Sequence, residues 1–147
     1  MNIYFASDHA GFELKNHLLE FVQNLGFTAS DNGPLTLDPS DDYPDYISLV
    51  TEEILKNPDT SLGIVLGGSG QGEAMMANRF KGIRATVYYG GAPDILKLSK
   101  EHNNANVLSL GARFLSHDEA QRGVKLWLES EFPGDERHKR RIEKLDK

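Results

Sequence analysis

The chain has no cysteine in its 147 residues. That excludes disulfides, thiolate nucleophiles and cysteine metal sites. No two histidines stand at metal-ligand spacing, so no metal is expected. No apolar stretch approaches the length that spans a bilayer. The start, NIYFASDH, has neither a basic cluster nor a long apolar run. A cytoplasmic protein without membrane contact is therefore expected. Positive charge is also scarce over most of the chain. The net charge is −6, yet Arg137 to Lys147 holds six basic and two acidic residues, so that segment is +4 and the rest, −6 less +4, is −10. An acidic body does not suit nucleic acid. A local basic tail, about residues 134–147, suits a small phosphate or is simply a solvated helix face.

The composition, 39% hydrophobic and 26% charged, is that of an ordinary globular chain long enough to bury one core. A single domain over residues 1–147 is expected. Short apolar runs, NIYFA (2–6), SLGIVLG (61–67), IRATVYY (83–89) and NVLSLG (106–111), read as buried parallel strands. FTASD (27–31) reads as a weaker one. Between them lie helix-period stripes. Leu14, Leu18, Phe21, Val22 and Leu25 share one face, ended by Gly26, and Ala120, Val124, Trp127 and Leu128 share another. Pro44 and Pro93 stand where helices could begin, and Ser116 precedes Glu119 at capping-box spacing. Strand and helix alternating about five times predict a doubly wound α/β fold. In such sheets ligands bind beyond the carboxyl ends of the strands, which points to ASDHAG, GGSGQGE, YYGGAP and GAR. The long polar loop from Asn32 to Tyr43 is a functional loop or a linker.

The segment LGGSGQGEAMM, from Leu66, is the most informative. Gly67, Gly68, Gly70 and Gly72 follow a strand and lead into a helix pattern, so backbone N–H groups there can converge on an anion. Gly67 and Gly72 have P-loop separation, but Glu73 stands where lysine belongs, and a carboxylate there repels a triphosphate. The spacing is also wrong for the dinucleotide fingerprint. One reading is a plain tight turn with Glu73 favouring a helix N-terminus. The other is that the anion arises during reaction. Glu73 removes a proton from carbon, an oxyanion develops, and the loop N–H groups stabilise it.

Asp8 and His9 end the first strand, where Ser7 or Asp8 could instead cap the next helix. His102, followed by Asn103, ends a helix, where a histidine suits the dipole alone. His17 and His117 read as solvated. Arg113 follows Gly111 at a strand end, and Arg137-His138-Lys139-Arg140-Arg141 is a dense basic run. Arginine forks match phosphate geometry, although a charged helix face also explains such a run.

ASDHAGFELK, DDYPDY, GIVLGGSGQGEAMMANRFKGIRA, KEHNNANVLSLGARF and RHKRRI together, in this order, resemble ribose-5-phosphate isomerase type B, within the ribose/galactose isomerase family. The resemblance covers nearly the whole chain. It implies a Rossmann-like α/β/α sandwich with a five-stranded parallel sheet. It also implies a homodimer, often paired again into a tetramer, with its active sites at the subunit interface. The implied reaction is aldose–ketose interconversion of a sugar phosphate through a cis-enediolate, without a cofactor. One branch of the family uses a cysteine base at the position of Gly67. This chain resembles the other branch, in which a glutamate matched by Glu73 is the base. The resemblance further implies that Ser69 and the backbone of Gly68, Gly70 and Gly72 form the anion hole. It makes Asp8 and His102 the ring-opening pair and Asn103 a contact to the enediolate. His9, Arg113, Arg137 and Arg141 match phosphate positions, with His138 and Arg140 beside them, and Tyr43 lines the shared site. Ribose 5-phosphate is the expected substrate. A hexose 6-phosphate, a tetrose phosphate, or binding without catalysis are the alternatives.

Overall fold

A computed structural model describes residues 1–146. The elements in chain order are β1 (Asn2–Ser7), α1 (Phe12–Asn24), β2 (Thr28–Asp31), α2 (Tyr43–Lys56), β3 (Ser61–Gly67) and α3 (Gln71–Ala77). They continue as β4 (Ala85–Tyr88), α4 (Asp94–Asn103), β5 (Val107–Gly111), α5 (His117–Glu129) and α6 (Glu136–Leu145). The five strands form one parallel sheet in the order β2-β1-β3-β5-β4. The expected α/β fold with a five-stranded parallel sheet, Rossmann-like, is what the chain adopts. No helix among the described residues is long and apolar enough to cross a membrane.

A parallel sheet is covered on both faces, so its strands are apolar on both sides. Alternate residues of β3 divide accordingly. Ile64 and Leu66 join the core under α1, α4 and α5, with Leu18, Leu96 and Trp127. Val65 joins the core under α2 and α3, with Ile47, Val50 and Ala77. Helix α1 carries the expected stripe and buries Leu14, Leu18 and Val22, while Leu25 lies just past its end and is exposed. Lys15, on the same helix, is wholly buried, and its ammonium donates to both Asp31 oxygens at 2.6 and 2.7 Å and to the Pro34 carbonyl at 2.7 Å. A buried cation satisfied this way ties α1 to the end of β2. The capping box at Ser116 and Glu119 forms as its spacing predicts.

Three local expectations need correction. Strand β4 is shorter than the apolar run at 83–89, because the Arg84 N–H donates to the Asn106 side chain at 2.7 Å instead of continuing a ladder. Pro93 is the residue before α4 rather than inside its first turn. His17 is not simply solvated: its ring stacks on His117 at 4.3 Å and bonds Gln121 at 2.9 Å, joining α1 to α5.

Strand order determines where a site can form. After β1 the chain moves to one side, to β2, and β3 returns to the other side of β1. Loops leaving β1 and β3 therefore part company and open a crevice between them. Asp8 and His9 leave β1 there, and the glycine loop leaves β3 beside them.

Candidate active site

The glycine loop is held from below by its carbonyls. Gly67 O accepts from Ala112 N at 2.8 Å, and Gly68 O accepts from Arg113 N at 3.1 Å. Gly70 O accepts from the Ser109 hydroxyl at 2.6 Å and from Ala74 N at 3.2 Å. These bonds fix the loop backbone against β5 and the residues that follow it. Gly70 has φ of 76°, and a β-carbon on it would stand 2.9 Å from the Leu110 backbone. Glycine is required at that position on both counts.

Glu73 lies in the first turn of α3 and is 3% exposed. Its carboxylate lies against the α-carbon of Gly67, in the volume a side chain at position 67 would occupy. Burial pushes its pKa up; its own backbone N–H opposes this, and the charge of Asp8 adds to it. A carboxylate whose pKa burial raises is suited to take up and return a proton.

Other expected residues surround this point. Tyr43 lies over the loop: a β-carbon on Gly72 would meet its ring at 2.7 Å. The guanidinium of Arg113 lies over Gly68, at 3.2 Å from a β-carbon built there. Asp8 Oδ1 accepts from the N–H groups of Ala10 and Gly11 at 2.9 and 3.1 Å. Asp8 thus organises the turn ahead of α1, whose capping position is Gly11, and keeps its second oxygen toward other work. Ser69 is exposed, and its hydroxyl accepts at 3.4 Å from Gln71 N. His9 bonds Asp41, a residue that sequence reading passed over within DDYPDY. The two are 32 positions apart, and no local pattern connects them.

His102 and Asn103 lie elsewhere. In a parallel sheet each helix returns the chain to the N-terminal edge, and α4 does so ahead of β5. The Arg84 side chain, just before β4, donates to the Asn103 carbonyl at 3.0 Å, which places that residue at the N-terminal edge. The length of β5, about 16 Å, separates this edge from the glycine loop. Helix α6 packs beside α4: the His138 ring stacks on His102 at 4.5 Å, and Asp146 accepts from Gly82 N at 2.9 Å. His138 is 3% exposed, and its Nε2 accepts from Arg137 Nε at 3.2 Å. Burial, then the charge of Arg137, push its pKa down, which keeps it neutral as an acceptor. Arg137, Arg140 and Arg141 are exposed on α6. A cavity of about 710 Å³ opens at this edge, lined in part by Arg79, Arg84, Asn103 and Asp146.

One chain therefore assembles two clusters. Asp8, His9, Tyr43, the loop, Glu73 and Arg113 share the C-terminal edge. His102, Asn103, Arg137, His138 and Arg141 share the α4–α6 end.

The ribose/galactose isomerase family model matches residues 3–145. The chain belongs to the ribose/galactose isomerase family. This isomerase is 40% identical over 144 residues to a probable ribose-5-phosphate isomerase B of Mycoplasma genitalium, covering 98% of this chain and 93% of the relative. It is 34% identical to a putative sugar phosphate isomerase of Bacillus subtilis, covering 99% and 95%. Among solved structures, the Mycoplasma genitalium ribose-5-phosphate isomerase B with bound ribulose-5-phosphate superposes with a TM-score of 0.93 at 40% identity, covering 98% of this chain and 93% of that one. The ribose 5-phosphate isomerase of Thermotoga maritima superposes at 0.91 with 41% identity, covering 99% and 97%. The chain is thus an enzyme of the aldose–ketose isomerase class, an intramolecular oxidoreductase.

Proposed function

We propose that the protein interconverts ribose 5-phosphate and ribulose 5-phosphate through a cis-enediolate, with Glu73 as the base. The observation that carries this is the buried Glu73 carboxylate packed against the glycine loop at Gly67. In this reading the substrate binds as a ring. Asp8 and His102 move protons between the ring oxygen and the anomeric hydroxyl and open it. Glu73 takes the proton from the carbon next to the carbonyl and becomes neutral. The carbonyl oxygen becomes an oxyanion held by the N–H groups of Gly68 to Glu73 and by Ser69, with Asn103 on the enediolate. Glu73 then returns the proton to the former carbonyl carbon, while the hydroxyl proton of the neighbouring carbon passes to the oxyanion, so that the first oxygen becomes a hydroxyl and the second the ketone. Charge at Glu73 falls as charge in the loop rises, so the cradle and the carboxylate do not compete.

His9, Arg113, Arg137 and Arg141 hold the phosphate, with Tyr43 lining the pocket. His138 anchors Arg137 and His102, and Arg140 adds positive field. Because His102 and Arg137 lie at the far edge from Glu73, the reading requires a homodimer in which each site takes Glu73 from one protomer and the α4–α6 end from its partner. The chemistry needs neither metal nor cofactor.

The test is turnover in D₂O followed by NMR, with chelator present. Ribulose 5-phosphate carrying deuterium at the transferred carbon, formed by the native protein and lost in Glu73→Gln, supports the reading. Turnover that survives in the variant removes Glu73 as the base. Turnover only of a four- or six-carbon phosphate changes the substrate, and no exchange with any of them leaves a binding role.

A further inference from the structure

His9 enters the crevice with one ring nitrogen already committed. Its Nδ1 lies 2.7 Å from Asp41 Oδ1, and its backbone N–H donates to the same oxygen at 3.0 Å. One carboxylate oxygen therefore fixes both the main chain and the ring. The Asp41 side chain is 2% exposed, and its Oδ2 is buried without a partner among the described residues. An orphaned buried oxygen is costly, and a neutral amide could tie the loop without leaving a charge unmet. The charge itself therefore needs an explanation.

The ring supplies one. With Nδ1–H given to Asp41, a neutral imidazole would present a lone pair at Nε2, which repels a phosphate oxygen. Only the imidazolium presents an N–H there. The His9 side chain is 34% exposed, so the ring is open to a ligand on its other side. The groups that bear on its charge are Asp41, Asp8 and Arg113, with Asp38 also within range. The Asp41 hydrogen bond is the largest influence and raises the pKa; partial burial and Arg113 oppose it, and Asp8 reinforces it.

We propose that Asp41 is a positioning residue for substrate binding, holding His9 as an imidazolium whose Nε2–H faces the phosphate group beside Arg113. The proposal rests on reading this crevice as the phosphate end of the site. It makes a carboxylate outside the ligand shell responsible for the charge of one inside it.

The experiment compares native protein with Asp41→Asn, which keeps the shape and the Oδ1 acceptor but removes the charge. NMR of the His9 ring through a pH titration is the direct readout. The His9 midpoint falls in the variant, because the charged acceptor that raises it is gone. The inhibition constant of inorganic phosphate and KM for ribose 5-phosphate rise about ten-fold near neutral pH, while kcat stays within about three-fold. The binding loss shrinks as the pH is lowered and His9 takes up its proton in the variant as well. In a His9→Asn background, Asp41→Asn has no further effect on phosphate binding. An unchanged His9 titration, or a loss that persists in the His9→Asn background, overturns the proposal. A measurement on the native protein alone bears on it even when the variant does not fold: inorganic phosphate shifts the His9 midpoint upward, and no shift overturns it. Absence of ribose 5-phosphate turnover by native protein would sink the proposed reaction, while the titration and inorganic phosphate would still judge Asp41.

Discussion

The two edges of the sheet are built differently. At the C-terminal edge, strand ends, a glycine loop and a short helix bring Glu73, Asp8, His9 and Arg113 together within one chain, mostly through backbone hydrogen bonds. At the N-terminal edge, the end of α4 and helix α6 present His102, Asn103 and Arg137, with the His102 ring stacked on His138 and Arg137 bonded to it. The first edge holds a buried carboxylate beside a glycine loop, with His9 and Arg113 near it. The second holds exposed arginines and stacked histidines. In the proposed reaction each edge complements the other.

The largest effect that sharpens this contrast is removal of the proposed base. Glu73→Gln is expected to lower kcat about 1,000-fold or more while leaving phosphate binding nearly intact, measured by turnover and by competition with inorganic phosphate. Its stability should move the other way. The folded-state pKa of Glu73 is raised, so the ionised side chain costs stability as pH rises through that value. Glu73→Gln is therefore expected to melt at or above the native temperature at neutral pH. The difference should close below the ordinary glutamate range, and calorimetry across that window checks it. By the same sign, the acid limb of kcat/KM for the native enzyme lies above the ordinary glutamate value.

A second, smaller effect probes the volume beside Glu73. A β-carbon on Gly67 collides with the carboxylate, so Gly67→Ala must displace Glu73. A displacement of about 1 Å costs on the order of 100-fold in rate, read in kcat, with the overall fold retained by circular dichroism.

The smallest concerns the other face of the fold. Lys100 is buried with its ammonium 3.9 Å from the Trp127 ring, and burial pushes its pKa down to about 8. Between about 8 and the ordinary lysine value the unfolded chain binds a proton that the folded one does not, so stability rises with pH across that window. The melting temperature of the native protein should rise there relative to Lys100→Met, and parallel curves would contradict the assignment.

Much of this was legible in the sequence because it is local. The glycine loop and Glu73 occupy one contiguous stretch, and the βα alternation predicts which ends of the strands carry ligands. The position of His102 was also available in principle, since a helix between parallel strands returns to the N-terminal edge, four residues before β5. The bond from Asp41 to His9 was not, because it crosses 32 residues and a polar loop without periodicity. The short reach of β4 was hidden for a similar reason: Ile83 and Arg84 look strand-like, but an asparagine side chain beyond the next helix takes the N–H that a ladder would use. Local pattern sees a residue's own element, while side chains that bridge elements become visible only once the fold is known.

The central claim is that an active site joins one protomer's C-terminal edge to its partner's α4–α6 end, and subunit mixing tests it most directly. Glu73→Gln and His102→Ala are each prepared as inactive proteins, mixed in equal amounts, exchanged, and assayed with ribose 5-phosphate. A site shared across subunits gives each hybrid dimer one intact site, so about a quarter of native activity returns. No recovered activity, with hybrids present by native mass spectrometry, would contradict the shared site.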